Sequence, residues 1–462
     1  MNQHIRQFQQ AHCGQPQYKK GFANIKVIGA IVLLIGVVGF VFISTRPAPT
    51  NPLSDSTPAP VISYADETQY LIFGIKTADV IYEAPKDQTF NVIDKEVEEV
   101  ITRVGAIGDG KQRQLGFMVI LPPWVVEKAM PGKLEWVIKQ SFEVAKKRNV
   151  AVYFSVISHL VWDSRPDLWN WFDPNQPGYN LQNKKNVEWT DWEGTPVKAR
   201  YSLQIGTKTK PHMCYNSTQI KSEITRIVSA ILAPAIKDGI NDLKKNEKEH
   251  LFAGLTLTDE LSLDDYSVID QIDKKMGEQM SRDGAAKIRL GYCALTNAGY
   301  SKSNPPKDYS DALAKINQEF AAYWGKQFVD AEISMNKLYG HVAAGASGPI
   351  LQYTNAPIWT AFNDYSRPGW STYTEGPITD NFNALYQPLK ERGSPHWAGT
   401  ESAPTTLGGE TVDPTTYLSW HYNHGATVLM LNAADTYAGG LLTKIIFSPE
   451  AVAAYQKFLN GE

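Results

Sequence analysis

The sequence predicts an α/β protein, a (β/α)8 TIM barrel with long loop insertions, preceded by one N-terminal transmembrane helix. Three observations predict it. Strand-like apolar runs alternate with amphipathic helical stretches from about residue 61 onward, which favours a βα repeat over a sandwich or a helical bundle. Two of these runs, Leu251 to Glu260 and His396 to Ser402, each reach a glutamate at the C-terminal end, where barrel enzymes keep their chemistry. Near the N-terminus, a wholly uncharged apolar run approaches the roughly 20 residues that span a bilayer.

Residues 1 to 50 contain no Asp or Glu, but carry Arg6, Lys19, Lys20 and Lys26 ahead of the apolar run from Val27 to Ile43. Only Arg46 follows closely. This asymmetry predicts a single-pass anchor with its N-terminus in the cytoplasm and the rest of the chain outside. A cleaved signal peptide is the competing reading, yet the leader is long and no clear A-x-A site follows. The expected division is a cytoplasmic segment 1-24, an anchor 25-45, a Pro-rich linker 46-60 and a barrel 61-462. The lipid bilayer is thus an expected partner. The expected location is the cell inner membrane, with the barrel periplasmic or extracellular.

Composition narrows the function. The 462 residues are 43% hydrophobic, 11% aromatic and 20% charged, a globular balance. A net charge of -3 leaves no nucleic-acid footprint. Beyond the apolar run only Cys214 and Cys293 remain, too few for a disulfide framework; they pair or stay buried thiols, and their separation does not decide. There is no HExxH, paired CxxC, P-loop, strand-linked GxGxxG or G-x-S-x-G elbow, so no metal, cofactor or serine nucleophile is expected. The cluster Asp259, Glu260, Asp264 and Asp265 fits no calcium loop and reads as a solvated loop.

Eight strands are expected. The first three are Tyr70 to Thr77, Leu115 to Leu121 and Val150 to Ser158, separated by helices near Val92 to Val104 and Leu134 to Arg148. A polar, Trp-rich excursion, His159 to Pro211, follows with Trp162, Trp169, Trp171, Trp189 and Trp192. A helix, Thr218 to Leu243, leads into the fourth strand, which ends at Glu260. The fifth is Ile288 to Leu295, after a Met276 to Ala286 helix. The sixth is Pro357 to Phe362, after a Tyr309 to Leu338 helix. Trp397 to Glu401 is seventh, and Thr427 to Leu431, after a Thr415 to Asn423 helix, is eighth. A Pro449 to Leu459 helix closes the chain.

If both glutamate-ending strands belong to one barrel, Glu260 and Glu401 face each other across its mouth. Cleaving a glycosidic bond uses such a pair: one carboxyl protonates the leaving oxygen while the other meets the positive charge developing at the anomeric carbon. A plain surface glutamate is the alternative for either residue alone. The order of strand four with Glu260, strand seven with Glu401, then a helix, His424-Gly425-Ala426 and a last strand resembles the clan A retaining glycoside hydrolases, nearest to the β-galactosidase-like members. The segment Met213-Cys214-Tyr215-Asn216-Ser217-Thr218 resembles the stretch before their fourth strand.

The resemblance implies that Glu260 is general acid and then base, while Glu401 is the nucleophile that forms a covalent glycosyl-enzyme. For that the carboxyls must lie about 5 to 5.5 Å apart. One position departs from the clan, which usually places Asn before the acid; here it is Asp259, and an ionised Asp only accepts hydrogen bonds. The sugar then presents a donor there, or Asp259 is itself the working acid, or the barrel has lost activity. Other expected sugar contacts are His159 and Trp162 after strand three, Asn363, Tyr365 and Trp370 near strand six, and Asn432 at the end of strand eight. For each, a structural role is the competing reading. The resulting expectation is a membrane-anchored, extracytoplasmic glycosidase acting on a polysaccharide or oligosaccharide. The alternatives are a catalytically inactive polysaccharide-binding barrel of the cell envelope and a structural envelope protein.

Overall fold

A computed structural model describes residues 67–76, 80–81, 86–158, 162–202, 207–343, 354–372, 380–405, 412–431 and 441–462. The expected cytoplasmic segment, anchor and linker, with His159 and Asn432, lie outside these. Among the described residues no helix is long and apolar enough to cross a membrane.

Apart from a small antiparallel pair, Arg200–Ser202 with Thr207–Thr209, the strands among the described residues are β1 (Gln69–Gly74), β2 (Arg113–Leu121), β3 (Ala151–Val156), β4 (Phe252–Thr256), β5 (Leu338–Tyr339), β6 (Val342–Ala343), β7 (Gly369–Ser371), β8 (Trp397–Ser402) and β9 (Ala426–Leu431). They form one parallel sheet in the order β5-β4-β3-β2-β1-β9-β8-β7-β6. Its two ends are halves of a single segment, separated by Gly340 and His341. The sheet therefore curls until its ends meet: Thr256 pairs with Tyr339 on one side, and Val342 with Trp370 on the other. Between them Gly340 donates to the Arg367 carbonyl, 2.9 Å, and Arg367 to that of Leu338, 2.9 Å. This is the parallel, curled arrangement of a TIM-like α/β fold.

Alternation along each strand divides the apolar side chains between two cores. Tyr70, Ile72, Met118, Ala151, Tyr153, Ala253, Tyr339, Ala398, Val428 and Met430 fill the inside of the curl. Their neighbours Leu71, Phe73, Phe117, Phe154, Leu255, Trp397 and Leu429 point outward into a larger core under the helices. Those helices include α1 (Thr89–Val104), α2 (Lys133–Arg148), α3 (Thr218–Ile227), α4 (Ala233–Lys245), α5 (Tyr292–Asn297), α6 (Tyr309–Asp330), α7 (Asp380–Glu391), α8 (Pro414–Asn423) and α9 (Pro449–Leu459). Between α3 and α4, Val228–Leu232 is a π-helical turn, so the helix expected there runs unbroken from Thr218 to Lys245 with a π-bulge at its middle.

Two expected strands are corrected. Ile288 to Leu295 is not the fifth: Arg289 makes a lone bridge to Asp265, and Gly291, at φ +107°, starts α5. Pro357 to Phe362 is not the sixth: Ile358–Ala361 is a 3-10 turn packed outside the sheet. Their places are taken by the 338–343 segment and by β7. The expected helix Tyr309 to Leu338 stops at Asp330, leaving its end free to become β5.

Candidate active site

β4 ends at Thr256, and the chain continues through Asp259 to Glu260 beyond the C-terminal edge. Glu401 stands near the end of β8. The pairing of β8 slips between Gly399 and Glu401 against β7, and between Gly399 and Ser402 against β9. Such a bulge re-aims a side chain without ending the strand. Glu260 and Glu401 retain 27% and 18% of their side-chain exposure, so both carboxyls are walled in but reach solvent.

Between them lies His341, 6% exposed, on the residue pair that joins β5 to β6. It follows the inward Tyr339 by two residues and so points the same way. Its Nε2 is 3.9 Å from Glu260 Oε1 and 3.8 Å from Glu401 Oε2. Nε2 is 2.9 Å from the Oγ of Ser371, at the end of β7, and Ser371 also bonds Glu260 Oε1. Burial holds the imidazole below the usual histidine range, against the opposing pull of Glu260, Asp259 and the Thr258 backbone.

One atom each from Glu260, His341 and Glu401 lie within 4.8 Å of one another. A metal ion could bridge that spacing, but Ser371 already bonds both His341 and Glu260. The trio reads as a hydrogen-bonded group around two carboxyls.

Asp259 is buried, and its Oδ1 accepts from the Ser158 amide, 3.2 Å, and from the Ser158 hydroxyl. One face of this carboxyl is thereby tied to the end of β3. Asp264 is buried as well, 3.7 Å from Arg200, while Asp265 pairs with Arg289 at 2.6 Å. The loop after β4 is therefore paired and partly buried, which corrects the expectation of a solvated acidic loop.

Behind Glu401, the Thr372 amide donates to its backbone carbonyl, 2.8 Å. Thr372 Oγ1 contacts Ser402 Oγ at 2.5 Å and His421 Nε2 at 3.0 Å, and the Tyr417 hydroxyl donates to the Thr372 carbonyl, 3.0 Å. Burial pushes His421 down to about 4, so it serves this network as a neutral ring.

The other expected sugar contacts stand elsewhere. Trp370 is fully buried on the outward face of β7, its ring 5.5 Å from Phe362 and 5.7 Å from Trp397, its indole N–H on the Ile358 carbonyl. Asn363 and Tyr365 precede β7 instead of following a sixth strand. In a parallel sheet that puts them at the end opposite the glutamates. There Asn363 caps its own turn, donating to Ser366 Oγ and accepting from the Tyr365 amide, both 2.9 Å. Trp162 is buried, with its indole N–H on the Pro211 carbonyl. Trp169 is buried too, while Trp171, Trp189 and Trp192 are half-buried against the main core. These tryptophans hold the excursion together.

His341 and Ser371 are the site residues that sequence reasoning missed. Both sit on the strand pieces it did not find; a lone His inside an apolar stretch, Leu338 to Val342, was the available signal. Cys214 and Cys293, left open above, form a disulfide with Cα atoms 6.0 Å apart.

No protein-family model and no curated protein matches this sequence. Among solved structures, the chain is similar to a Cellulomonas fimi endo-beta-1,4-mannanase double mutant at 10% identity and a TM-score of 0.35. That likeness covers 86% of this chain and 73% of the other. At so low a score the comparison carries no weight, and the functional reading rests on the site.

Proposed function

We propose that this chain is a membrane-anchored, extracytoplasmic glycoside hydrolase that cleaves a polysaccharide or oligosaccharide by a two-glutamate retaining mechanism. The observation that carries the reading is the approach of Glu260 and Glu401 from two strand ends, with side-chain oxygens within 4.8 Å, beside a neutral histidine. Oxygens this near are compatible with the carboxyl separation of about 5 to 5.5 Å at which one glutamate attacks the sugar directly. Glu401 attacks the anomeric carbon as Glu260 gives its proton to the leaving oxygen; Glu260 then takes a proton from the water that releases the glycosyl ester. In this reading Glu401 is the nucleophile, on a backbone held by the Thr372 amide. Glu260 is the acid because it bonds a hydroxyl that can accept or donate. This assignment of roles agrees with the resemblance to the clan A, β-galactosidase-like enzymes.

Two features support the location. The basic, acid-free leader and uncharged run favour an N-in anchor, and the Cys214–Cys293 disulfide suits an oxidising compartment. The buried, tethered Asp259 keeps the binding-barrel alternative under test.

The deciding experiment is hydrolysis of a panel of neutral, acidic and amino-sugar polysaccharides and aryl glycosides by the full-length chain, beside Glu260→Gln and Glu401→Gln. We expect parent turnover to fall at least about a hundredfold in each variant with folding intact, the scale of general acid–base and covalent catalysis. Turnover that survives both changes moves the active site elsewhere. Binding without turnover by the parent leaves a polysaccharide-binding barrel.

A further inference from the structure

The role of Glu260 changes between the two halves of the proposed reaction: it must first hold a proton and then lack one. Among the described residues, its hydrogen-bond contact to the interior is a single hydroxyl with two acceptors beside it. Ser371 Oγ touches Glu260 Oε1 on one side and His341 Nε2, 2.9 Å away, on the other. His341 does not reach the carboxyl directly; the separation is 3.9 Å. Ser371 is also buried, so the hydroxyl has little water to turn to.

We infer that Ser371 is a positioning residue for Glu260, a rotating hydroxyl that turns between the Glu260 carboxylate and His341 Nε2 as Glu260 alternates between acid and base. When Glu260 carries its proton, it donates to Ser371 Oγ, and the Ser371 proton goes to Nε2. When Glu260 has lost that proton, the Ser371 hydroxyl swings to the carboxylate and Nε2 is left without it. Each atom keeps its count, because only the Ser371 proton changes direction. Glu260 thus has a hydrogen-bond partner in either state.

The arrangement requires Nε2 to be an acceptor, and so requires a neutral ring protonated on Nδ1. The Thr258 backbone accepts from the ring, and burial opposes a second ring proton. Among the described residues, the charged groups facing His341 are Glu260 and Asp259 from the segment after β4 and Glu401 from β8. All three favour the imidazolium, so the neutral ring depends on burial outweighing them.

This inference rests on the reading of Glu260 as acid and base, and its test has an arm that does not depend on turnover. In the full-length chain labelled with 15N-histidine, His341 resonances are assigned by their loss in His341→Gln. We expect a neutral ring with Nε2 unprotonated near neutral pH, and an Nε2 shift displaced in Ser371→Ala but restored in Ser371→Thr. In the kinetic arm, Ser371→Ala should move the limb of the pH–rate profile that belongs to Glu260 and lower kcat by about tenfold, less than loss of the acid itself. Ser371→Thr should recover both. Nε2 protonated in the parent, or a Ser371→Ala variant that moves neither the resonance nor the limb, overturns the relay even if the glycosidase reading stands. Absence of turnover on every substrate removes the glycosidase reading and leaves the relay to be judged by the resonances.

Discussion

Glu188 is a carboxyl without access to water, seated at the start of α5. It accepts from the Cys293 amide at 3.2 Å and from other backbone groups nearby, yet burial pushes it up to about 8 from an ordinary value of 4.5. An acid raised in this way stabilises the fold most at low pH. As pH climbs from about 4.5 towards about 8, the unfolded chain releases a proton that the folded chain retains, and stability falls through that window. The contribution is on the order of a few kcal/mol. Glu188→Gln removes the titration, so its denaturant midpoint should decline less than the parent's between about pH 5 and about pH 8. Parallel declines would show that Glu188 does not hold its proton. Glu188 could not be recognised in the sequence, because nothing in Val187-Glu188-Trp189 announces a contact with residues a hundred positions later. Glu260 and Glu401 were legible for the opposite reason: each follows an apolar run, and that local pattern is what places them at a strand end. Ser371 was hidden because its partners, His341 and Glu260, come from two other strands.

Strand length decides which elements could be read. β2, β3, β8 and β9 have six or more residues, and each stands where an apolar run predicts it, aliphatic in β2 and β9, mixed with aromatics in β3 and reduced to Trp397, Ala398 and Gly399 in β8. β5, β6 and β7 have two or three residues each, and Gly340 and His341 interrupt the first two, so no apolar run stands out. The runs mistaken for strands five and six are apolar because they pack outside the sheet, Cys293 and Leu295 on α5 and Ile358 and Ala361 in the 3-10 turn. A test of helix packing comes from Gly239 in α4. Alanine there gains about 1 kcal/mol of helix propensity. A Cβ at this position would stand 2.1 Å from the Phe142 ring of α2. Phe142 cannot swing aside freely, because it lies between Phe154 and Phe252 with ring centres 5.6 and 5.7 Å away. Overpacking of this kind costs about 1 to 3 kcal/mol, so Gly239→Ala should lower stability on balance. A denaturant midpoint equal to or above the parent's would mean that α4 can lift from α2 without loss.

The two ends of the molecule have separate tasks. At the N-terminal end of the sheet, Arg367 grips both oxygens of Glu67, at 2.6 and 2.5 Å, and so fastens the start of the described chain. The candidate site opens at the other end. That end is built partly from long connections, and the Cys214–Cys293 disulfide ties the one that precedes α3 to α5. The bond spans 79 residues, a stretch that includes α3, α4, β4 and Glu260. Closing a loop of this length restricts the unfolded chain, and the typical gain is about 2 to 4 kcal/mol. Cys214→Ala with Cys293→Ala should therefore lower stability by about that amount. Reduced parent protein should unfold at a similar denaturant concentration to the double variant, since both lack the cross-link while only the variant lacks the sulfur atoms. If reduction leaves the midpoint unchanged while the double variant falls, the sulfurs contribute through packing, and the cross-link adds nothing to the stability of the segment that carries Glu260.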